Sequence, residues 1–247
     1  MPHVERAPAK LTVSLRVTGV RADGYHLLDA EMVTLDLVDT LTFTDGDGIE
    51  VVAPAAVEGA GGTGSGFAVP TGPTNTVARA LAAVGCAAHV RIDKGIPSGG
   101  GLGGASADAA AVLRWAGVRD PAVAVRIGAD VPFCVTGGRA RVRGVGEQVE
   151  PLPFQARTFT LALAPFGCST PAVYQAWDDL GGPVGPHAND LEAAALAVEP
   201  RMAEWRDRFG EATGQTPMLA GSGSTWFVEG AFPGESRLVV HTTPAMS

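Results

Sequence analysis

The segment Pro97-Ser98-Gly99-Gly100-Gly101-Leu102-Gly103-Gly104-Ala105-Ser106-Ala107 is the part of this sequence richest in potential chemistry. From Gly99 to Gly104 every residue is glycine except Leu102. Glycine reaches positive φ and lets backbone N–H groups come close to a ligand. An alanine-rich helix follows, running to about Trp115. A helix start adds unpaired N–H donors and the positive end of the helix dipole. Together these make an anion site suited to phosphates, with the Ser106 hydroxyl in reach of a phosphate or a magnesium ion. The competing reading is a flexible linker or a close-packing turn. The Walker pattern is excluded, because no Gly-Lys-Ser/Thr opens the helix. Gly99, Gly101 and Gly104 do match GxGxxG, and Asp120 lies at about the distance of a ribose-binding acid. Yet Asp120 precedes Pro121 and ends no readable second strand, so a dinucleotide site is weakly supported.

Other residues stand out by rarity or setting. Of the 18 basic residues only Lys10 and Lys94 are lysine, in a chain that otherwise uses arginine for surface charge. A position that keeps lysine suggests a need for a compact ammonium. Lys10 is either a solvated strand residue or a charge placed for chemistry. Asp130, in Gly128-Ala129-Asp130-Val131-Pro132, is either a general base or a turn or capping residue. Tyr25 and Tyr174 are the only tyrosines. Each suits stacking on a flat ring, and equally a half-buried core position. Cys86, Cys134 and Cys168 are far apart and lack CxxC spacing, so they read as buried small apolar residues of a cytosolic protein. His3, His89, His187 and His241 have no metal-ligand spacing.

These residues need elements to position them. The 247 residues suit one large or two small domains, and 46 % hydrophobic with 18 % charged residues is a globular balance. No apolar run reaches the length of a membrane helix, and the N-terminus has no signal-peptide pattern. A net charge of −8 argues against a general nucleic-acid binder but not against a phosphate-bearing substrate. Residues 10–18 alternate as a half-buried strand, with Leu11, Val13, Leu15 and Val17 on one face. Strands are expected at 30–37 and 40–44, joined near Val38-Asp39. Others are expected at Ile49–Val52, His89–Ile92, 139–143, Thr158–Ala164 and Arg237–His241. Gly59–Gly66 reads as a loop, and Thr74-Asn75 as a helix start. Helices are expected near Pro171–Asp179, Asp190–Val198 and Arg201–Phe209. A strand–turn–strand surrounds Gly221-Ser222-Gly223-Ser224, a turn that either approaches phosphates or merely closes a hairpin. Strands and helices mix without βαβ regularity, which points to the α+β class. Pro151-Leu152-Pro153 is the best boundary between two domains, 1–153 and 154–247.

Taken in order, Pro8-Ala9-Lys10-Leu11, Asp23-Gly24-Tyr25-His26, Pro97 through Ser106 and Gly128-Ala129-Asp130-Val131-Pro132 resemble the GHMP-type small-molecule kinases. Ser169-Thr170-Pro171-Ala172-Val173-Tyr174, Asn189-Asp190-Leu191-Glu192 and Gly221-Ser222-Gly223-Ser224 fit as well, so the resemblance spans about residues 7–229. It implies an N-terminal ATP-binding domain, a ferredoxin-like C-terminal domain and a substrate cleft between them. The Asp-Gly-Tyr-His and Gly-Ala-Asp-Val-Pro segments narrow the implied reaction. It moves the γ-phosphoryl of ATP, with Mg2+, to the 2-hydroxyl of 4-diphosphocytidyl-2-C-methyl-D-erythritol in the non-mevalonate isoprenoid pathway.

The resemblance assigns Asp130 as base and Lys10 as its catalytic partner. It gives Pro97 through Ala107 to the ATP phosphates, and Asn75 and Lys94 to the neighbourhood of adenine. Thr12, Tyr25, His26, Thr170 and Tyr174 go to the substrate, with Tyr25, His26 and Tyr174 at its cytidine end. Magnesium ligands stay unassigned. It also implies a cytoplasmic monomer or homodimer without nucleic-acid or membrane partners.

The chain departs from the family in places. Thr12 stands where asparagine is usual, and Ala105-Ser106-Ala107-Asp108 replaces Gly-Ser-Ser-Asn. Asp108 then favours the helix dipole, repels phosphate, or holds magnesium through water. Segments 117–127 and 230–247 are short for the family, the first short enough to lack a helix and the second to leave the cleft less covered. Two rival readings remain: another GHMP kinase acting on a sugar, homoserine or mevalonate-like alcohol, and a catalytically silent nucleotide binder.

Overall fold

The computed structural model describes residues 1–52 and 69–246, so the expected Gly59–Gly66 loop lies outside the described residues. Two long strands, β1 (His3–Val20) and β2 (His26–Thr44), pair antiparallel from His3–Phe43 to Val20–His26, with register shifts between Pro8 and Lys10, Thr12 and Ser14, and Val17 and Gly19. The other edge of β2 is shared. β5 (Arg139–Gly144) pairs with Leu28–Val33, and β4 (His89–Asp93) with Thr40–Thr44. β3 (Ile49–Val52) adds parallel to β4, and β6 (Gln148–Pro151) antiparallel to β5.

This sharing explains one difference from the sequence expectation. β2 is a single strand running through Val38-Asp39, because these two residues pair with Pro8 and Ala7 of β1. The uncovered stretch of its other edge receives the C-terminal segment instead. Thr242 bridges Leu35, and the Thr243 N–H donates to the Thr34 carbonyl.

Among the described residues, four helices accompany this sheet: α1 (Thr76–Val84), α2 (Gly104–Trp115), α3 (Pro121–Ile127) and α4 (Val131–Thr136). α2 is buried from Ala107 through Leu113. Its small side chains allow neighbours on several sides to approach closely. The short segment 117–127 does contain a helix, contrary to expectation. The Asp120 carboxylate caps α3 by accepting from the Ala122 N–H, and Pro121 supplies a preset first turn. That capping role also replaces the ribose-binding one considered for Asp120.

The second sheet holds β7 (Thr158–Ala162), β8 (Met218–Leu219), β9 (Trp226–Glu229) and β10 (Arg237–His241), in the order β10-β7-β9-β8. All its pairings are antiparallel. Helices α5 (Thr170–Asp179), α6 (Glu192–Val198) and α7 (Arg201–Thr213) connect β7 to β8. Numbered within this half, the strand order is 4-1-3-2, that of a ferredoxin-like sheet. The second crossover of that motif, residues 230–236, has no helix here. The fold is α+β as expected. Among the described residues no helix is long and apolar enough to cross a membrane. Cys134 is buried, Cys168 is half-buried and Cys86 is exposed; Cys86 corrects the expectation of burial, because it lies beyond the α1 cap at Gly85.

Candidate active site

The glycine-rich loop lies across β1. The Lys10 N–H donates to the Leu102 carbonyl at 2.9 Å, and Gly103 caps α2 with a φ of 72°. A Cβ at Gly103 would sit 2.8 Å from Lys10 Cγ, so glycine is required for this approach. The same cover explains why Lys10 and Thr12 are buried although the strand pattern puts them on its polar face.

A cavity of about 310 Å³ opens over the loop and the start of α2. Pro97 through Ser106 line it, as do Asn75, Lys94 and Asp108. Ala107 is buried behind it. Asn75 is also the cap of α1: its Oδ1 accepts from the Val77 N–H, and its amide donates to the Pro70 carbonyl.

Beneath the loop lies a buried cluster that the sequence did not announce. Lys94 Nζ donates to Asp108 at 2.9 Å and to Asp39. Asp39 also accepts from the backbone N–H groups of Gly95 and Ile96, which fixes the chain just before Pro97. Asp108 has one partner, and its Oδ1 has none among the described residues. Burial, with the Asp39 charge beside it, pushes Asp108 up to about 7 despite the pull of Lys94. Burial works against the Lys94 ammonium, but the Asp108 and Asp39 carboxylates outweigh it and raise its pKa. Asp108 is therefore a partner of Lys94 set into the helix through one of its two carboxylate oxygens.

The start of α2 packs against Gly128: a Cβ there would lie 3.9 Å from Ser106 Oγ. This contact brings Asp130 to the side of the loop. Lys10 Nζ stands 3.1 Å from Asp130 Oδ2 and 3.1 Å from Thr12 Oγ1. Asp130 precedes α4 but makes no capping bond, which leaves its carboxylate for Lys10 and for a ligand. Burial, and the Asp130 charge, push the Cys134 thiol up to about 12, so it stays a neutral neighbour.

The second glycine turn reaches the same place from the other sheet. Thr225 Oγ1 donates to the Gly100 carbonyl at 2.5 Å, and a Cβ at Gly221 would lie 3.7 Å from Thr12 Oγ1. The Asn189 amide donates to the carbonyls of Leu219 and Gly221, fixing the turn from behind. Thr170 and Ser222 share a 2.8 Å hydroxyl hydrogen bond at its rim.

His26 opens β2, and its ring centroid lies 4.7 Å from that of Tyr174. Burial, and then the Asp130 charge, raise the Tyr174 phenol above its ordinary value. Tyr25 does not join the cluster; the residue is 64 % exposed, with Arg21 beside its ring. The sequence reading missed Asp39, Trp177 and Asp178. Trp177 and Asp178 were legible only as neighbours of Tyr174 on one helix.

Residues 74–138 match the family described as GHMP kinases N terminal domain. The 4-diphosphocytidyl-2-C-methyl-D-erythritol kinase of Paracoccus denitrificans is 38 % identical, over 90 % of this chain and 85 % of that protein. The protein of the same name in Cutibacterium acnes is 32 % identical, over 89 % of this chain and 83 % of that one. A crystal structure of 4-(cytidine 5'-diphospho)-2C-methyl-D-erythritol kinase superposes with a TM-score of 0.72 at 29 % identity, covering 97 % of this chain and 99 % of that one. A homoserine kinase from Cytophaga hutchinsonii shares the fold, with a TM-score of 0.60 at 17 % identity, covering 99 % of this chain and 95 % of that one. With the loop, the Lys10–Asp130 pair and the His26–Tyr174 cluster arranged around one cleft, the chain belongs to the 4-diphosphocytidyl-2-C-methyl-D-erythritol kinase family of the GHMP kinases.

Proposed function

We infer that the protein transfers the γ-phosphoryl group of ATP to the 2-hydroxyl of 4-diphosphocytidyl-2-C-methyl-D-erythritol, a step of non-mevalonate isoprenoid synthesis. The observation that carries this reading is the 3.1 Å Lys10–Asp130 pair at the edge of the glycine loop. Phosphoryl transfer depends on positioning and on stabilising charge. The loop N–H groups and the α2 N-terminus receive the phosphates of ATP. The Asp130 carboxylate accepts the proton of the attacking hydroxyl, and Lys10 stabilises charge on the transferring oxygens. Thr12 holds Lys10 in place and leaves its hydroxyl toward the substrate. Pro97 through Ser106, with Asn75 and Lys94, form the nucleotide side; His26 and Tyr174 form the cytidine side, Tyr25 offers an exposed ring just before β2, and Thr170 meets the substrate.

Magnesium fits this donor set in a limited way. Among the described residues no group of three His, Cys, Asp or Glu side chains is placed to hold a metal ion. Magnesium commonly sits between substrate phosphates and one or two protein oxygens. Ser106 lines the cavity and would supply such an oxygen, and the ion would neutralise phosphate charge. We divide the chain into domains at residues 1–153 and 154–247, each built on one sheet, and place the protein in the cytoplasm.

The test is ADP release by the purified chain with magnesium and ATP. We expect release with the cytidylyl substrate and little with unsubstituted methylerythritol. Release with neither overturns the assignment.

A further inference from the structure

We infer that Asp178 is a positioning residue that fixes the tautomer of His26 and thereby makes the site prefer cytosine over uracil. The inference rests on the proposed cytidylyl substrate and says how that group is selected.

Asp178 Oδ1 lies 2.9 Å from His26 Nε2. A carboxylate only accepts, so Nε2 carries the hydrogen in this pair. In the neutral imidazole Nδ1 is then the lone-pair nitrogen. It has no hydrogen-bond partner among the described residues. The ring is also held in orientation. Tyr174 packs on it at 4.7 Å with an interplanar angle of 34°, and Trp177 meets it edge-on at 5.6 Å and 83°. Trp177 is itself anchored, because its Nε1 donates to the Pro183 carbonyl at 3.0 Å.

Tyr174, Trp177 and Asp178 are spaced i, i+3 and i+4 on α5, so they share one helix face. That face forms a socket for a ring presented by β2 of the other sheet. The His26 side chain is 11 % exposed within it.

A fixed acceptor distinguishes the two pyrimidines. Cytosine offers its 4-amino group as a donor, where uracil offers a 4-carbonyl oxygen that would set lone pair against lone pair. Sites built around one such hydrogen bond reject the mismatched analogue strongly, because the protein group is left unpaired. Without Asp178 either tautomer is open to His26, and the ring can donate from Nδ1 as readily as accept. A plain tie between the two halves of the molecule would need the Asp178–His26 pair but would not alter base preference.

The experiment measures steady-state kinetics of the full chain with magnesium, ATP and either the cytidylyl substrate or its uridylyl analogue. Asp178→Ala is expected to raise KM for the cytidylyl substrate about tenfold, with the ATP KM and kcat little changed, and to lower the cytidine-over-uridine ratio of kcat/KM by about the same factor. Asp178→Glu, which keeps an acceptor, is expected to recover part of that ratio. Nitrogen-15 spectra, with His26 assigned from His26→Gln, should show the Nε2–H tautomer in the unsubstituted protein and a mixture in Asp178→Ala. An unchanged ratio in Asp178→Ala overturns the inference even if KM rises, as would a His26 tautomer that ignores the substitution. No transfer to the cytidylyl substrate by the unsubstituted chain overturns the proposed function itself, and this inference with it.

Discussion

Lys10 and Lys94 are the two lysines of the chain, and both are buried against carboxylates. Their pairs do different work. Lys10 shares its ammonium between Thr12 and an Asp130 whose side chain is still 30 % exposed, which suits the substrate contact proposed for it. Asp130→Asn keeps the shape and removes the proton acceptor. It should lower kcat by about a hundredfold or more while the ATP KM stays nearly constant, checked by steady-state kinetics. Lys94 instead sits between Asp39 and Asp108 under the loop. Asp108 ordinarily titrates near 3.8 and is pushed to about 7 in the fold. An acid whose pKa rises on folding contributes stability below its unfolded value and loses it as pH climbs through the folded one. The melting temperature should therefore fall more between pH 5 and pH 8 in the parent than in Asp108→Asn, which cannot titrate. Equal slopes in thermal melts would show that the raised Asp108 is not what couples stability to pH. The scarcity of lysine made both ammonium sites legible. Asp39, the partner of Lys94, was not, because a carboxylate in mid-strand resembles any polar strand residue until β4 and the 94–96 turn are folded against it.

The two glycine turns belong to different sheets but touch each other. A Cβ at Gly101, where φ is 73°, would lie 2.6 Å from the Gly223 carbonyl oxygen. Because the obstacle is backbone, one loop would have to move. Gly101→Ala should raise the ATP KM about tenfold or more and lower kcat, with a modest fall in melting temperature from the positive φ; kinetics and a thermal melt check both. The first turn was readable from its glycine density and the helix behind it. The second was not, because four small residues in a hairpin have the same sequence whether they face solvent or a ligand. Contact with Gly100 and Thr12, and the Asn189 amide behind it, put the turn against the first loop. Strand β1 and the alanine-rich helix were plain from their periodicity. The continuity of β2 was not, since it depends on β1 pairing across Val38-Asp39, and α3 was hidden by a short segment whose proline looked like a break rather than a first turn.

At the scale of the molecule, the cleft needs both sheets to hold a fixed relation, since Lys10 and His26 come from one and Tyr174, Asp178 and Gly221 from the other half. Asp190 is the densest tie between them. It is buried and accepts from the Val17 N–H at 2.9 Å, the Gly185 N–H at 3.0 Å and Arg16 at 2.5 Å. Farther out, Arg157 approaches Glu31 at 3.6 Å, and His241 pairs with Asp36 at 2.9 Å. These outer pairs are partly solvated and each adds little. Asp190 differs because its removal strands two backbone donors. Asp190→Ala should cost about 2–3 kcal/mol, read as a lower denaturation midpoint. It should also raise KM for the cytidylyl substrate more than for ATP. The reason is geometric: the glycine loop and Lys10 are held by a backbone bond within the first half, whereas the His26 socket is completed by α5 across the cleft. A variant that loses stability but keeps the ratio of the two KM values would show that the socket is held by its own ring contacts and does not depend on the Asp190 tie.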